Sequence, residues 1–343
     1  MLLGDQPSPD RIVDFGEDFG CRFSIFVDTE EEFDWTKPQS RSQVATSHIA
    51  YLPEFQALAD AHGIEPCYLI DYPVAGTAAA AAIMRKLVEG GKCSLGTQLH
   101  PWVNPPFDEE VNLFNSFVGN LPRELEAAKL AVLTAAIEDH VGIRPICYRA
   151  GRYGVGPNTA ELLAAAGYKA DLSVRPSFDY RHEGGPDFRA SAFRPYWTGP
   201  NQALLELPLG VSYTGLMRRL GRLIYPRIQG NVKAAFARSG LLSRVALTPE
   251  DMPAADVKDA ISAMLDDGMN YLSFSFHSPS VAPGHTPYVR NSAELSDFYQ
   301  WWDQILGFLD RNGVLPISLP DVVAAAEATC KRKLGVDGLG STV

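Results

Sequence analysis

The sequence predicts an α/β chain folded as a (β/α) barrel, a distorted one of seven or eight strands with an insertion. Three observations carry that expectation. Short apolar runs alternate with segments whose apolar residues recur at helical spacing. About eight such pairs fit into 343 residues, a length that suits one large α/β domain. Ionisable residues recur just after the apolar runs, at the ends where such barrels build their sites. A doubly wound open sheet is the alternative arrangement of the same units.

Residues 22–27 (RFSIFV) make the first strand. Residues 48–62 have apolar side chains at helical spacing and stop at Gly63, a C-terminal cap. PCYLI, at 66–70, is the second strand and ends at Asp71. The alanine-rich 77–89 segment is a helix closed by Gly90 and Gly91, and 93–99 is the third strand, ending at His100. A long helix over 122–140 precedes a short strand over 145–148 that ends at Arg149. Residues 158–166 form a helix closed by Gly167, followed by strands at 169–174 and 204–207. A helix over 253–267, the strand YLSFSF at 271–276 ending at His277, a helix over 295–312, a strand at 314–317 and a helix over 320–328 complete the pattern. Residues from about 175 to about 250 fit the repeat poorly and are expected to form an insertion or lid within a single domain spanning 1–343.

Hydrophobic residues at 46% and charged residues at 21% suit a sizeable core. The net charge of −11 argues against general nucleic-acid binding and against an anionic membrane surface. No apolar run approaches the roughly eighteen residues of a membrane span. The opening stretch MLLGDQPSPDRIVDFGEDFG lacks a basic region followed by an apolar one, so no secretion signal is expected. The five cysteines, Cys21, Cys67, Cys93, Cys147 and Cys330, contain no CxxC pair, and four begin apolar runs where a reduced thiol simply packs. A cytoplasmic location is the simplest expectation.

Asp28, Asp71, His100, Arg149, Asp171 and His277 each stand at or near the end of a predicted strand. That recurrence points to one reaction centre at the barrel rim. No P-loop, HExxH or GxSxG occurs, and GRYGVG lacks the context of a dinucleotide fingerprint.

The segments FVDTEEEFDW, LGTQLHPWVNPP, YRAGRYG, GYKADLSV and LSFSFHSPS resemble, in order, the motifs of the polysaccharide deacetylase (NodB-like) family, carbohydrate esterase family 4. The resemblance covers most of residues 20–320. It implies N-deacetylation of a sugar or sugar-like amide, with a small-molecule or carbohydrate substrate. Asp28 is implied as general base, Arg149 as its orienting partner and His277 as general acid that protonates the leaving amine. A divalent metal, zinc foremost, is implied as the group that polarises the amide carbonyl and the attacking water.

The chain departs from the family at two places. The acid that directly follows the base is Thr29 here, and Glu30 is the nearest replacement. Where the family has two histidines four apart, this chain has Gln98, His100 and Trp102. Asp28 and Glu30 share a strand face, as do Gln98 and His100, so Glu30 and His100 are the expected metal ligands; glutamine is a poor zinc ligand. The D-x-E pattern with a degenerate histidine motif is also similar to that of metal-poor relatives that open small cyclic amides. A metal-independent cyclic amidase or deformylase, and a binding protein without catalysis, are the alternatives.

Gln98, Trp102, Tyr153 and Asp71 are the expected substrate-binding residues, although Asp71 also suits a cap of the turn at Pro73. Glu31, Glu32 and Asp34 are expected in solvent or at a helix start, and His48, His62, His140 and His182 at the surface or at helix ends. His285 lies in a Pro/Gly-rich loop within reach of the rim.

Overall fold

Strand β1, Cys21–Thr29, is buried from Phe23 onward, as a continuous apolar run in a parallel strand covered on both faces requires. The computed structural model describes residues 2–333. Ten further strands follow among the described residues: β2 Cys67–Ile70, β3 Ser94–Leu99, β4 Cys147–Ala150, β5 Ala170–Asp171, β6 Tyr196–Thr198, β7 Leu204–Glu206, β8 Val211–Thr214, β9 Ser243–Ala246, β10 Tyr271–His277 and β11 Val314–Pro316. The helices are α1 Leu52–Ala61, α2 Tyr72–Gly76, α3 Ala78–Glu89, α4 Arg123–Val141, α5 Thr159–Ala165, α6 Gly221–Ile224, α7 Gly230–Arg238, α8 Ala254–Asp266, α9 Ser292–Arg311 and α10 Leu319–Lys333. Among the described residues no helix is long and apolar enough to cross a membrane.

The sheet order is β10-β1-β2-β3-β4-β5-β7-β6, with β11 paired to the start of β1. Every neighbouring pair is parallel except β6 and β7. This is a distorted (β/α) barrel. The gap between β7 and β10 is bridged by backbone rather than by a full strand. Gly210 N–H donates to Ser273 O at 3.0 Å, Leu247 N–H to Gly210 O at 2.8 Å, and Ser275 N–H to Leu247 O at 3.1 Å. Gly210 is required there, because a Cβ would stand 2.4 Å from Ser273 O.

The stretch from about 175 to about 250 contributes to this frame in two ways. Its β6 and β7 join the main sheet, and its β8 and β9 form a separate antiparallel ribbon. Short β6, the ribbon, α6 and α7 carry no clean periodicity, which is why pattern reading leaves them unassigned.

Two packing layers position the site. Outside the sheet, Phe55 of α1, Phe276 of β10 and Trp302 of α9 meet with ring centroids 4.7–5.7 Å apart. A second cluster gathers Phe26, Leu69, Cys147, Leu172 and Leu205 with Leu319 and Val322 of α10. Phe26 and Cys147 lie two residues before Asp28 and Arg149 and share their faces. Each strand therefore passes from apolar packing to ionisable groups as it reaches its C-terminal end. All five cysteines are free thiols.

Candidate active site

Strand register brings the predicted residues together. Asp28 of β1 lies opposite His277 of β10, and Gln98 of β3 lies opposite Arg149 of β4. Asp28, Glu30, Gln98, His100, Trp102, Arg149, Tyr153 and His277 line one cavity of about 350 Å³.

Arg149 is buried and donates from Nη1 to Asp28 Oδ1 and, at 2.7 Å, to Ser275 Oγ, while its Nε donates to Leu172 O at 3.0 Å. These bonds fix the guanidinium and, through it, the carboxylate of Asp28. Across the cavity, His277 Nε2 stands 3.8 Å from Asp28 Oδ2. His277 Nδ1 donates to Glu250 Oε2 at 2.7 Å, and Glu250 Oε1 accepts from His277 N–H at 3.0 Å and from Ser280 Oγ at 2.7 Å. Burial alone lowers the affinity of His277 for its proton. The facing carboxylates of Glu250, Glu30 and Asp28 outweigh burial and lift it to about 10.

A second group stands beside the first. Glu30 Oε2 accepts from Gln98 Nε2 at 2.7 Å, and the same nitrogen lies 3.2 Å from His100 Nε2. Burial pushes Glu30 up to about 8, with His277 and His100 opposing and Asp28 and Glu31 adding to the rise. Glu30 Oε1 and Gln98 Oε1 are buried without a partner among the described residues. Burial outweighs the nearby carboxylates and lowers the hold of His100 on its proton. Its Nδ1 bonds Glu31 Oε2 at 2.7 Å, and its Nε2 faces Glu30 Oε2 at 3.5 Å. Gly151 leaves room for the ring, since a Cβ would stand 2.3 Å from His100 Cδ2.

Several expectations are corrected. Glu31 is not in solvent: it is fully buried and accepts from His100 and, at 2.9 Å, from Trp102 Nε1. Beyond the end of β1 the outward face is covered by α2 and the turn after β3, so the alternation of the strand no longer separates core from water. Asp71, expected at the substrate, lies outside the cavity lining; it caps α2 through Val74 N–H at 2.8 Å and accepts from Glu31 N–H at 2.6 Å. Trp102 lines the cavity but also stacks on His100 with centroids 4.4 Å apart, so it helps hold the ring. Glu32 is engaged too, accepting from Ser47 Oγ at 2.7 Å and from His48. His48 is buried, with Nε2 2.8 Å from Ser278 Oγ, and His285 turns toward Glu32 at 3.3 Å. Asp171 holds Ser173 and does not line the cavity.

Glu250, Ser275 and Arg175 were missed by sequence reading. The alternation of β10 marks Ser275 as sharing the face of His277. Glu250 lies in a loop with no periodic signal. Glu31, Asp71 and His100 each offer one ligand atom, all within 4.8 Å of one another, a possible grouping for an ion. Most of their oxygens already accept backbone or indole hydrogens, so the group chiefly supports His100.

No family sequence profile matches this chain, and no curated protein does. Solved structures do share its fold. Puue allantoinase overlaps it with a TM-score of 0.53 at 14% identity, over 94% of this chain and 98% of that one. A GH57 branching enzyme from Thermococcus kodakaraensis overlaps it at 0.51 and 11% identity, over 89% and 71% of the two chains. Peptidoglycan deacetylase PdaC from Bacillus subtilis overlaps it at 0.42 and 10% identity, over 95% and 100%. The likeness to the allantoinase and to the branching enzyme speaks for the fold alone; the chemistry has to be read from the site.

Proposed function

We propose that the protein is a hydrolase of a non-peptide C–N bond, most readily an N-deacetylase of a sugar or sugar-like amide. One observation carries the reading: Asp28 held by Arg149 faces His277 held by Glu250 across 3.8 Å at the end of paired strands. A carboxylate base and an imidazolium acid so placed can serve the two proton transfers of amide hydrolysis. Water attacks the carbonyl carbon, forming the new C–O bond while Asp28 takes its proton. The C–N bond then breaks as His277 Nε2 delivers a proton to the departing nitrogen, giving a carboxylic acid and an amine. Arg149 and Glu250 orient the two groups. Trp102 and Tyr153 line the wall against which the substrate lies.

The divalent metal implied by the sequence resemblance has fitting donors in Glu30 and His100, since Glu30 Oε1 is buried without a partner among the described residues. Bound there, a cation such as zinc supplies polarisation of the carbonyl and of the attacking water. We expect protein stripped by a chelator to lose turnover, and added zinc or manganese to restore it and to raise the melting temperature. His100→Ala should abolish that metal-dependent rise, as read by thermal melting with and without metal.

A specific contact favours a second reading. Gln98 Nε2 already donates to Glu30 Oε2 and faces His100, so its amide can stand in for a cation and leave a metal-independent cyclic amidase or deformylase. Full turnover of metal-free protein selects that reading.

The hydrolase proposal is tested by assaying release of carboxylic acid and amine from a panel of N-acyl sugars and cyclic amides as a function of pH. Because His277 keeps its proton up to about 10, the alkaline limb of kcat should lie far above that of an ordinary histidine. Glu250→Gln removes the nearest carboxylate, leaving Glu30 and Asp28, and should move that limb to lower pH. An unmoved limb in the variant removes His277 from the role of acid.

A further inference from the structure

Arg175 lines the same cavity, three residues beyond the carbonyl of Leu172 that anchors Arg149. The backbone is held on either side of it: Val174 O accepts from Leu209 N–H at 2.9 Å, and Arg175 O accepts from Phe178 N–H at 3.3 Å. The guanidinium lies over Phe178, with Cζ 3.8 Å from the ring centroid, and 5.1 Å from that of Tyr153. Stacking of this kind holds the plane and leaves its edges free for hydrogen bonding.

The cavity's other basic groups have carboxylate partners. Arg149 pairs with Asp28, Arg152 with Glu183 and Lys37 with Asp34. Among the described residues Arg175 forms no ion pair. Its Nη1 donates to Tyr180 Oη at 3.0 Å, and its Nε is buried with no partner. Phenols of Tyr180, Tyr153 and Tyr288 are the ionisable groups that most raise its hold on the proton. Arg244, also without an ion pair among the described residues, lies 3.4 Å from the Phe178 centroid, so a second positive charge stands close behind. Tyr153 and Tyr288 connect the two ends of the cavity: Tyr153 feels Asp28 and Arg149 as well as Arg175, and Tyr288 feels Glu250 and Glu30 as well as Arg175.

A buried Nε–H with no acceptor, on a guanidinium with no carboxylate beside it, is costly unless something else binds it. The Nε and Nη2 hydrogens form a planar fork that matches two oxygens of a carboxylate or phosphoryl group. We propose that Arg175 receives an anionic substituent of the substrate, a carboxylate or phosphoryl group held by that fork while the amide lies between Asp28 and His277. The inference deepens the hydrolase reading and rests on the cavity being its substrate site. It makes the substrate class an acidic amide, such as an acidic or phosphorylated N-acyl sugar, rather than a neutral one.

The test follows the Arg175 Nε–H resonance of the intact chain in proton–nitrogen correlation spectra, assigned by its loss in Arg175→Gln. Sodium acetate and inorganic phosphate are added separately at constant ionic strength set with chloride. A saturable shift with either anion is expected, and the anion that saturates at lower concentration distinguishes a carboxylate from a phosphoryl substituent. No saturable shift with either overturns the proposal. Should Arg175→Gln fail to fold, Arg175→Lys supplies the assignment. It keeps the charge but lacks the fork, and should weaken the anion, read in both proteins from the backbone amide shifts of positions 175 and 178, on the order of tenfold; undiminished binding overturns the proposal as well. In Asp28→Asn the anion response should survive while hydrolysis is lost. Failure of every amide assay therefore sinks the hydrolase reading alone, and a missing anion response sinks the role of Arg175 alone.

Discussion

Asp28→Asn is expected to lower kcat by about 10² to 10⁴-fold, the range that a positioned general base supplies. Asparagine keeps the volume and an oxygen that accepts from Arg149, so the cavity should keep its shape. What it loses is the capacity to take a proton from water. KM should change little, because the carboxylate acts on the attacking water rather than on the bound amide. The measurement is steady-state turnover on the best amide of the panel, at a temperature where circular dichroism shows wild type and variant equally folded. Turnover within about tenfold of wild type ends the assignment of Asp28 as base.

Arg149→Met is expected to produce the largest loss of stability, about 3–5 kcal/mol, because it leaves Asp28 as an unpaired charge in the interior. Both side chains are almost wholly buried, and Arg149 also loses its bonds to Leu172 O and Ser275 Oγ. The double variant Asp28→Asn with Arg149→Met should be less destabilised than the sum of the two single changes, since neither member then strands a charge on the other. Urea midpoints at fixed slope give the values. Additive single effects would mean that the pair is not coupled and that Arg149 serves packing alone.

Much of this frame was legible beforehand for local reasons. The predicted strands at 66–70, 93–99 and 271–276 correspond to β2, β3 and β10 within one or two residues. The predicted helices over 122–140 and 253–267 correspond as closely to α4 and α8. Asp28, His100, Arg149 and His277 stood out because a parallel strand buried on both faces admits polar groups chiefly where it ends. Asp71 was legible in part: its place before Tyr72-Pro73 suits a cap of the turn that follows, and that turn is the start of α2.

Glu250 and Glu31 show where such reading stops. Glu250 reaches His277 from a loop, across 27 positions of sequence, and no periodicity marks it. Glu31 follows Glu30 in an acidic run whose members look alike in one dimension. Only the cover provided by α2 and by Trp102 turns it from a solvent carboxylate into the holder of His100. Arg175 lies in a stretch without a clean repeat, and its lack of an ion pair is a property of its neighbours.

By itself the sequence determined where the chain turns from apolar strand to ionisable residue, and in what order those turns come, because both depend on backbone periodicity over a few residues. Tertiary structure alone decided which carboxylate faces which base, how deeply each is buried and therefore which groups hold a proton. Those depend on distances between segments far apart in the chain and on the loss of water between them, and neither is written in any local pattern.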